Sequence, residues 1–393
     1  MTPAARVAAA ADILDLIIDG TAAEKSLTTW GRKNRYAGSK DRAAIRDHVF
    51  QALRSLRSYA ALGGAADDAP TGRALMIGAL RAEGIDPASM FTGEGYAPKP
   101  LTEDELAGGH APVDVAAKND FPDWLWPVFE ASLGDGAEQE AALLKQRAPV
   151  FLRVNTRKTN REAAVLALAE ESIVAQPHAL SETALEVLEG ARKVALSDAF
   201  SQGLVELQDA ASQAVVDTLP LEGVTRVLDY CAGGGGKSLA IAARCDATVY
   251  AHDIDEARMR DIPVRKERAG AAVTVVAPDA LADHAPFDVV LCDAPCSGSG
   301  AWRRSPESKW RLTAESLAEL RKTQLSVLQS AAHKVTEGGV LAYVTCSVLS
   351  CENEELAAEF CANNPEWQCQ KQESWTMRNG GDGFFVAILT RSN

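Results

Sequence analysis

Two cysteines stand where thiolate chemistry could be done. Cys296 lies in Asp293-Ala294-Pro295-Cys296-Ser297-Gly298, and Cys346 in Thr345-Cys346-Ser347. Each follows an apolar β-type run, Phe287-Asp288-Val289-Val290-Leu291 in the first case and Val340-Leu341-Ala342-Tyr343-Val344 in the second. In an open parallel sheet, ligands bind in the crevice beyond the carboxyl ends of the strands. If these two strands are neighbours, both thiols face one crevice with the Asp293 carboxylate between them. That set suits addition of a thiolate to an electrophilic carbon. A single strand-end cysteine reads more simply as a small buried hydrophobe; the pair is what points to chemistry.

A second group of residues points to a nucleoside-type ligand. Cys231-Ala232-Gly233-Gly234-Gly235-Gly236-Lys237-Ser238 follows the strand ending at Asp229 and opens a helix. Glycines let the backbone approach a ligand closely, and a helix N-terminus favours polar or anionic groups. The run ending in Lys-Ser imitates a phosphate-binding loop, but that motif needs a glycine where this chain has Cys231. An ATPase is therefore the rival reading. Asp253, twenty-four residues after Asp229, can accept from two ribose hydroxyls, and Asp279 after the next strand could accept from an adenine amino group. Gly-rich turn, Asp253 and Asp279 together mark an S-adenosylmethionine arrangement, although any one carboxylate alone reads as a cap or turn former.

These residues need a scaffold that alternates strand and helix. From Gln208 the candidate strands are Arg226–Asp229, Thr248–Asp253, Ala272–Val276, Phe287–Asp293 and Gly339–Thr345, with a helix over Ser316–Val335 and a closing hairpin of Trp367–Gln370 with Gly383–Thr390. That pattern predicts an α/β, Rossmann-like sheet. Before it comes a small α+β segment with a strand at Phe151–Asn155, a helix at Asn160–Glu171 and β-type pieces at Thr183–Leu188 and Lys193–Leu196. The first part repeats apolar residues at helical spacing, Val7, Ala10, Leu14, Ile17 and later Ile45, Val49, Ala52, Leu53, and reads as an all-α domain. Three domains are expected: 1–115 helical, with its linker, 116–205 α+β, and 206–393 catalytic.

With 47% apolar and 24% charged residues the chain is of ordinary globular composition. It lacks a ~20-residue apolar run and an apolar leader, so a cytoplasmic protein acting away from membranes, as a monomer, is expected. Eight cysteines without a Cys-x-x-Cys argue for free thiols, with no disulfide framework and no metal. Cysteines 245, 292, 351, 361 and 369 read as core or incidental residues, as does the thiol of Cys231 apart from its place in the glycine-rich loop. A net charge of -14 argues against indiscriminate coating of nucleic acid. Cations nevertheless cluster between Trp30 and Arg57 (Arg32, Lys33, Arg35, Lys40, Arg42, Arg46, Arg54, Arg57) and again at Arg303, Arg304, Lys309 and Arg311.

Taken together the motifs resemble the RNA (cytosine-5)-methyltransferases of the Sun/Nop2 family, of the bacterial small-subunit rRNA methyltransferase B type. The likeness is carried by Leu152-Arg153-Val154-Asn155-Thr156, Leu207-Gln208-Asp209-Ala210-Ala211-Ser212-Gln213 and Asp229 to Lys237. It continues through Asp293 to Gly300, Lys309-Trp310, Thr345-Cys346-Ser347 with Glu352-Asn353-Glu354, and Asp382-Gly383-Phe384-Phe385. Asp41 to Ile45 and Val49 to Arg54 resemble a helical NusB-like RNA-binding domain. The family has Ala-Pro where this chain has Gly233-Gly234, and loss of proline leaves an unbound loop more mobile.

The resemblance implies methylation of C5 of a cytosine in RNA, with S-adenosylmethionine as cofactor held by residues 231–237, Asp253, Asp279 and Asp293. It implies Cys346 as nucleophile at C6, Cys296 as the cysteine assisting release, and Asp293 at the N3/N4 edge of the base. A base inside a helix is out of reach, so the RNA must be single-stranded or the cytosine flipped out. Arg32, Lys33, Arg35, Arg42, Arg303, Arg304 and Lys309 are the candidates for holding it. A non-catalytic RNA-binding assembly factor, with its cofactor loop altered at Gly233-Gly234, is the alternative from another class.

Overall fold

A computed structural model describes residues 1–65 and 69–391. The chain divides into two compact units: Met1–Glu130 with Gly134–Arg147 and Trp302–Leu312, and Ala131–Leu133 with Ala148–Ala301 and Thr313–Asn393. Residues 148–205 of the expected α+β segment share a unit with the catalytic sheet, while 116–130 and 134–147 belong to the first unit.

The first unit is helical. Its main helices are Pro3–Ile18, Ala23–Lys33, Ser39–Arg54, Leu56–Leu62 and Gly72–Ala82. The first starts where Thr2 accepts from the Ala5 N–H and proline takes N1, which needs no N–H there. Apolar stripes bury Ile13, Leu14, Ile45, Leu53 and Leu75 in one core. Phe121 is buried against Trp126, Phe129 and Trp302, with ring centroids 4.5–6.0 Å from Phe121. Truncating a buried aromatic of this kind costs about 3–5 kcal/mol.

The second unit holds two sheets. In the smaller, β1 (Val150–Val154), β2 (Val174–Pro177), β3 (Ala184–Glu189) and β4 (Val205–Leu207) lie in the order β2-β3-β1-β4, all antiparallel. The piece Lys193–Leu196, expected as β-type, is a 3-10 turn over Ala191–Leu196 with only Val194 buried. One apolar contact point suits a turn better than a strand.

The larger sheet has seven strands in the order β10-β11-β9-β8-β5-β6-β7. They are β5 (Arg226–Asp229), β6 (Thr248–Ala251), β7 (Val273–Val275), β8 (Phe287–Asp293), β9 (Val335–Thr345), β10 (Trp367–Trp375) and β11 (Phe384–Arg391). Strands β5 to β9 are parallel, and β10 and β11 close the edge antiparallel. The central strands carry nearly unbroken apolar runs because both faces are covered. The succession β5-β6-β7 runs one way from the middle and β8-β9 the other, so the switch point lies between β5 and β8. No helix among the described residues is long and apolar enough to cross a membrane.

Candidate active site

Strands β8 and β9 are hydrogen-bonded neighbours, with Asp293 opposite Val344. Their carboxyl ends therefore deliver both cysteines to one place. Cys346 is the first residue past β9, and Cys296 lies three beyond β8. The two sulfurs are 3.3 Å apart, both half-buried and both free thiols. The Cys346 carbonyl accepts from Gly300 N–H at 3.0 Å, and Gly300 lies so close to Gly383 that a Cβ would sit 2.1 Å from the Gly383 carbonyl oxygen.

Asp293 ends β8 and pairs with Lys237 of the helix Gly236–Arg244, Nζ to Oδ2 2.6 Å. Burial disfavours the Lys237 ammonium, but the Asp293 carboxylate and the Cys346 thiol facing it more than offset that and raise its pKa. The ammonium also lies 4.9 Å above the ring of Phe384. Cys296 is held well above the ordinary thiol range, first by its hydrogen bond with Cys346, then by burial and by the charges of Cys346 and Glu352. The largest cause is therefore the partner thiol.

Beside this pair a cavity of about 260 Å³ is lined by Asp229, Ala232, Gly234, Gly236, Lys237 and Asp293, among others. Asp229 is absent from the sequence-based site residues. It is buried, its Oδ2 accepts from Ser238 Oγ at 2.6 Å, and its Oδ1 has no hydrogen-bond partner among the described residues. Burial lifts its pKa to about 7, with the Asp293 charge adding to the rise. A buried carboxylate oxygen left without a partner, on a residue that lines the cavity, suits a cationic ligand group. Gly233 and Gly235 take φ of +49° and +77°, and a Cβ on Gly235 would meet Ile262 at 2.8 Å. The loop's tight path thus depends on glycine.

Asp253 lies two residues past β6, is buried, and accepts from Gly233 N–H at 3.0 Å while pairing with Arg258 at 3.0 Å. It ties the glycine loop to the second strand. Asp279 is exposed in the 3-10 turn Pro278–His284 after β7. Cavity, glycine loop and strand-end carboxylates together fit S-adenosylmethionine, whose sulfonium and ammonium match the acidic lining. Cys231 borders this loop and shares a hydrogen bond with Cys292, which with burial holds the Cys292 thiol well up.

The cations expected to hold RNA divide in two. Arg32, Lys33, Arg35 and Arg42 are exposed on helices Ala23–Lys33 and Ser39–Arg54 and the loop joining them, and Arg304 is exposed. Arg303 and Lys309 are buried, which corrects the reading of both as surface contacts. Arg303 gives its carbonyl to Arg54 Nε at 2.8 Å. Lys309 packs its ammonium 4.6 Å from the Phe121 ring and 4.7 Å from Trp310. Arg54 and Arg57 of the first cluster are likewise internal.

Residues 216–390 match the family model of the 16S rRNA methyltransferase RsmB/F, and residues 121–195 that of the ferredoxin-like domain of RsmF/B-like methyltransferases. Ribosomal RNA small subunit methyltransferase B of Yersinia pestis bv. Antiqua (strain Angola) is 32% identical over 297 residues, covering 71% of this chain and 69% of its own. The same identity and coverage hold for that of Yersinia pseudotuberculosis serotype O:1b. Among solved structures, PH0851 superposes with a TM-score of 0.73 at 23% identity over 99% of both chains. NSun6 from Pyrococcus horikoshii with SFG gives 0.61 at 18% identity, covering 70% of this chain and 99% of its own. These two establish likeness of fold.

Proposed function

The chain belongs to the RsmB/F family of 16S rRNA methyltransferases, and we propose that it methylates C5 of a cytosine in small-subunit rRNA through a covalent adduct between Cys346 and C6. Family membership displaces the ATPase reading. The single observation that carries the proposal is the meeting of Cys296, Cys346 and Asp293 at the ends of two adjacent parallel strands.

S-adenosylmethionine is the family's methyl donor and supplies a methyl on a sulfonium. Residues 231–237 with Asp229, Asp253 and Asp279 would hold it. C5 of cytosine is a weak nucleophile toward such a methyl group. When the Cys346 thiolate forms an S–C6 bond, the C5=C6 electrons shift toward C5, and Asp293 accepts from the N3/N4 edge of the base. After C5 takes the methyl, its proton leaves, the C5=C6 bond re-forms and the C6–S bond breaks, returning the Cys346 thiolate.

Cys296 is placed to take that proton. In the free site its thiol is held protonated mainly by Cys346. Once Cys346 is a neutral thioether that cause is gone, and the Cys296 thiolate becomes easier to form at the step where a base is needed.

Arg32, Lys33, Arg35, Arg42 and Arg304 are proposed to bind phosphates of a substrate that must present an unstacked cytosine. A ribosomal RNA substrate supports a cytoplasmic location for the protein. RNA carrying 5-fluorocytidine tests the mechanism, because fluorine cannot leave as a proton does. The wild type should form a denaturant-resistant complex with it and Cys346→Ser should not. A complex with both would remove Cys346 from the nucleophile's role.

A further inference from the structure

Glu352 is fully buried in the 3-10 turn Ser350–Glu352, shortly after β9. Its Oε1 accepts from Ser297 N–H at 2.8 Å and Gln324 Nε2 at 2.9 Å. Its Oε2 accepts the hydroxyls of Ser297 and Ser347, each at 2.5 Å. Ser297 is the residue after Cys296, and Ser347 the residue after Cys346. One carboxylate thus grips the chain immediately beyond both cysteines.

The residues before the cysteines are tied into the same group. Gln324 Nε2 also donates to the carbonyl of Pro295 at 2.9 Å. Thr345 donates its hydroxyl to Asn353 Oδ1 at 2.5 Å, and Asn353 Nδ2 donates to the Ser347 carbonyl at 2.9 Å. Tyr343 donates its hydroxyl to the Glu352 carbonyl at 2.6 Å. The carboxylate is met by four neutral donors, which compensate a buried charge without neutralising it. That charge stays close to Cys296 and opposes a second negative charge there.

We propose that Glu352 is a positioning residue that sets the approach of the two sulfurs and keeps Cys296 a thiol, so that Cys346 attacks and Cys296 waits for release. The proposal rests on the covalent mechanism above, but its first consequence concerns the free protein. The titratable groups facing Cys296 are Tyr343 from β9, Cys346 just past it and Glu352 from the turn, with the Gly298 N–H on its own loop. Of these Glu352 is the carboxyl group, and its charge adds to the rise of the Cys296 thiol.

The test is site-resolved alkylation by iodoacetamide between pH 6 and 10, read by mass spectrometry, with single-turnover methyl transfer at saturating S-adenosylmethionine. Glu352→Gln keeps the shape and removes the charge. It should move the Cys296 alkylation profile to lower pH, with more thiolate at each pH on the rising limb. It should also slow methyl transfer about 10²-fold through misplacement. The double variant Ser297→Ala/Ser347→Ala keeps the charge and removes two bonds; it should slow transfer and leave the Cys296 profile in place. An unshifted Cys296 profile in Glu352→Gln overturns the proposal, as does a wild-type transfer rate in the double variant. If Glu352→Gln does not fold, the double variant alone decides, by the same criterion. Absence of 5-methylcytosine with wild-type protein would instead defeat the proposed function, and the alkylation profile, which uses no RNA, would still report on Glu352.

Discussion

The sulfur of Cys296 lies 3.3 Å from the sulfur of Cys346, although fifty residues separate them in the chain. Parallel pairing of β8 and β9 brings them together, and the mechanism gives them opposite duties. Removing each should therefore have opposite consequences. Cys296→Ala should accumulate a covalent protein–RNA adduct, visible as a denaturant-resistant band, because attack proceeds while release is impaired. Cys346→Ala should show none. An adduct in the Cys346 variant would reverse the assignment.

Asp229 should make cofactor binding depend on pH. Burial raises its pKa to about 7, above the unfolded value of about 3.9. This group's contribution to stability is thus complete below about pH 4 and is lost as pH rises through about 7. A cationic ligand group against its free oxygen favours the carboxylate. Binding of S-adenosylmethionine below pH 7 should then release a proton, and affinity should rise with pH up to about 7 and level off. Calorimetry at pH 6 and pH 8 in buffers of different ionisation enthalpy measures this. Equal affinity and no proton release at pH 6 would contradict it; Asp229→Asn should abolish the effect.

Restoring the family's proline should tighten cofactor binding. A Cβ at Gly234 would meet only the Arg265 guanidinium, at 3.0 Å, the far end of a flexible side chain. Where the native conformation is compatible, proline stabilises a loop by about 0.4–1 kcal/mol, about two- to fivefold in affinity. Gly234→Pro should lower the Kd for S-adenosylmethionine by that factor. A higher Kd would mean that the loop needs the freedom of glycine.

The two kinds of lysine and arginine should separate cleanly. Charge reversal of Arg32, Lys33, Arg35 and Arg42 should weaken binding of all RNA sequences alike. It should also flatten the salt dependence by about 0.7 for each phosphate that is no longer neutralised. Lys309→Met should leave the salt dependence unchanged. Burial lowers the Lys309 pKa to about 7, so its charge opposes folding below about pH 10. The methionine variant should therefore melt no lower than wild type at pH 7, with any advantage shrinking as pH rises toward 10. A reduced salt slope in Lys309→Met would return it to the RNA surface.

These sites were unequally legible in the sequence. Strands β5 and β8 have the limits expected from their apolar runs, because burial on both faces leaves an unbroken signal. Chemistry at Cys296 and Cys346 could be read from type and position, while their approach required the pairing of β8 with β9. Arg303 and Lys309 were misplaced because charge in the sequence carries no information on burial; an aromatic nearly two hundred residues earlier, Phe121, covers Lys309. Asp229 passed as the mere end of a strand, since its free oxygen exists only in the folded cavity. Glu352 was visible as part of a motif, but its four donors come from three separate stretches of chain.

The most direct test is transfer of labelled methyl from S-adenosylmethionine to unmodified small-subunit rRNA, with digestion to nucleosides, comparing wild type and Cys346→Ala. Labelled 5-methylcytidine from the wild type alone is the predicted result. Label in another nucleoside, or equal 5-methylcytidine from both proteins, would contradict the covalent cytosine mechanism.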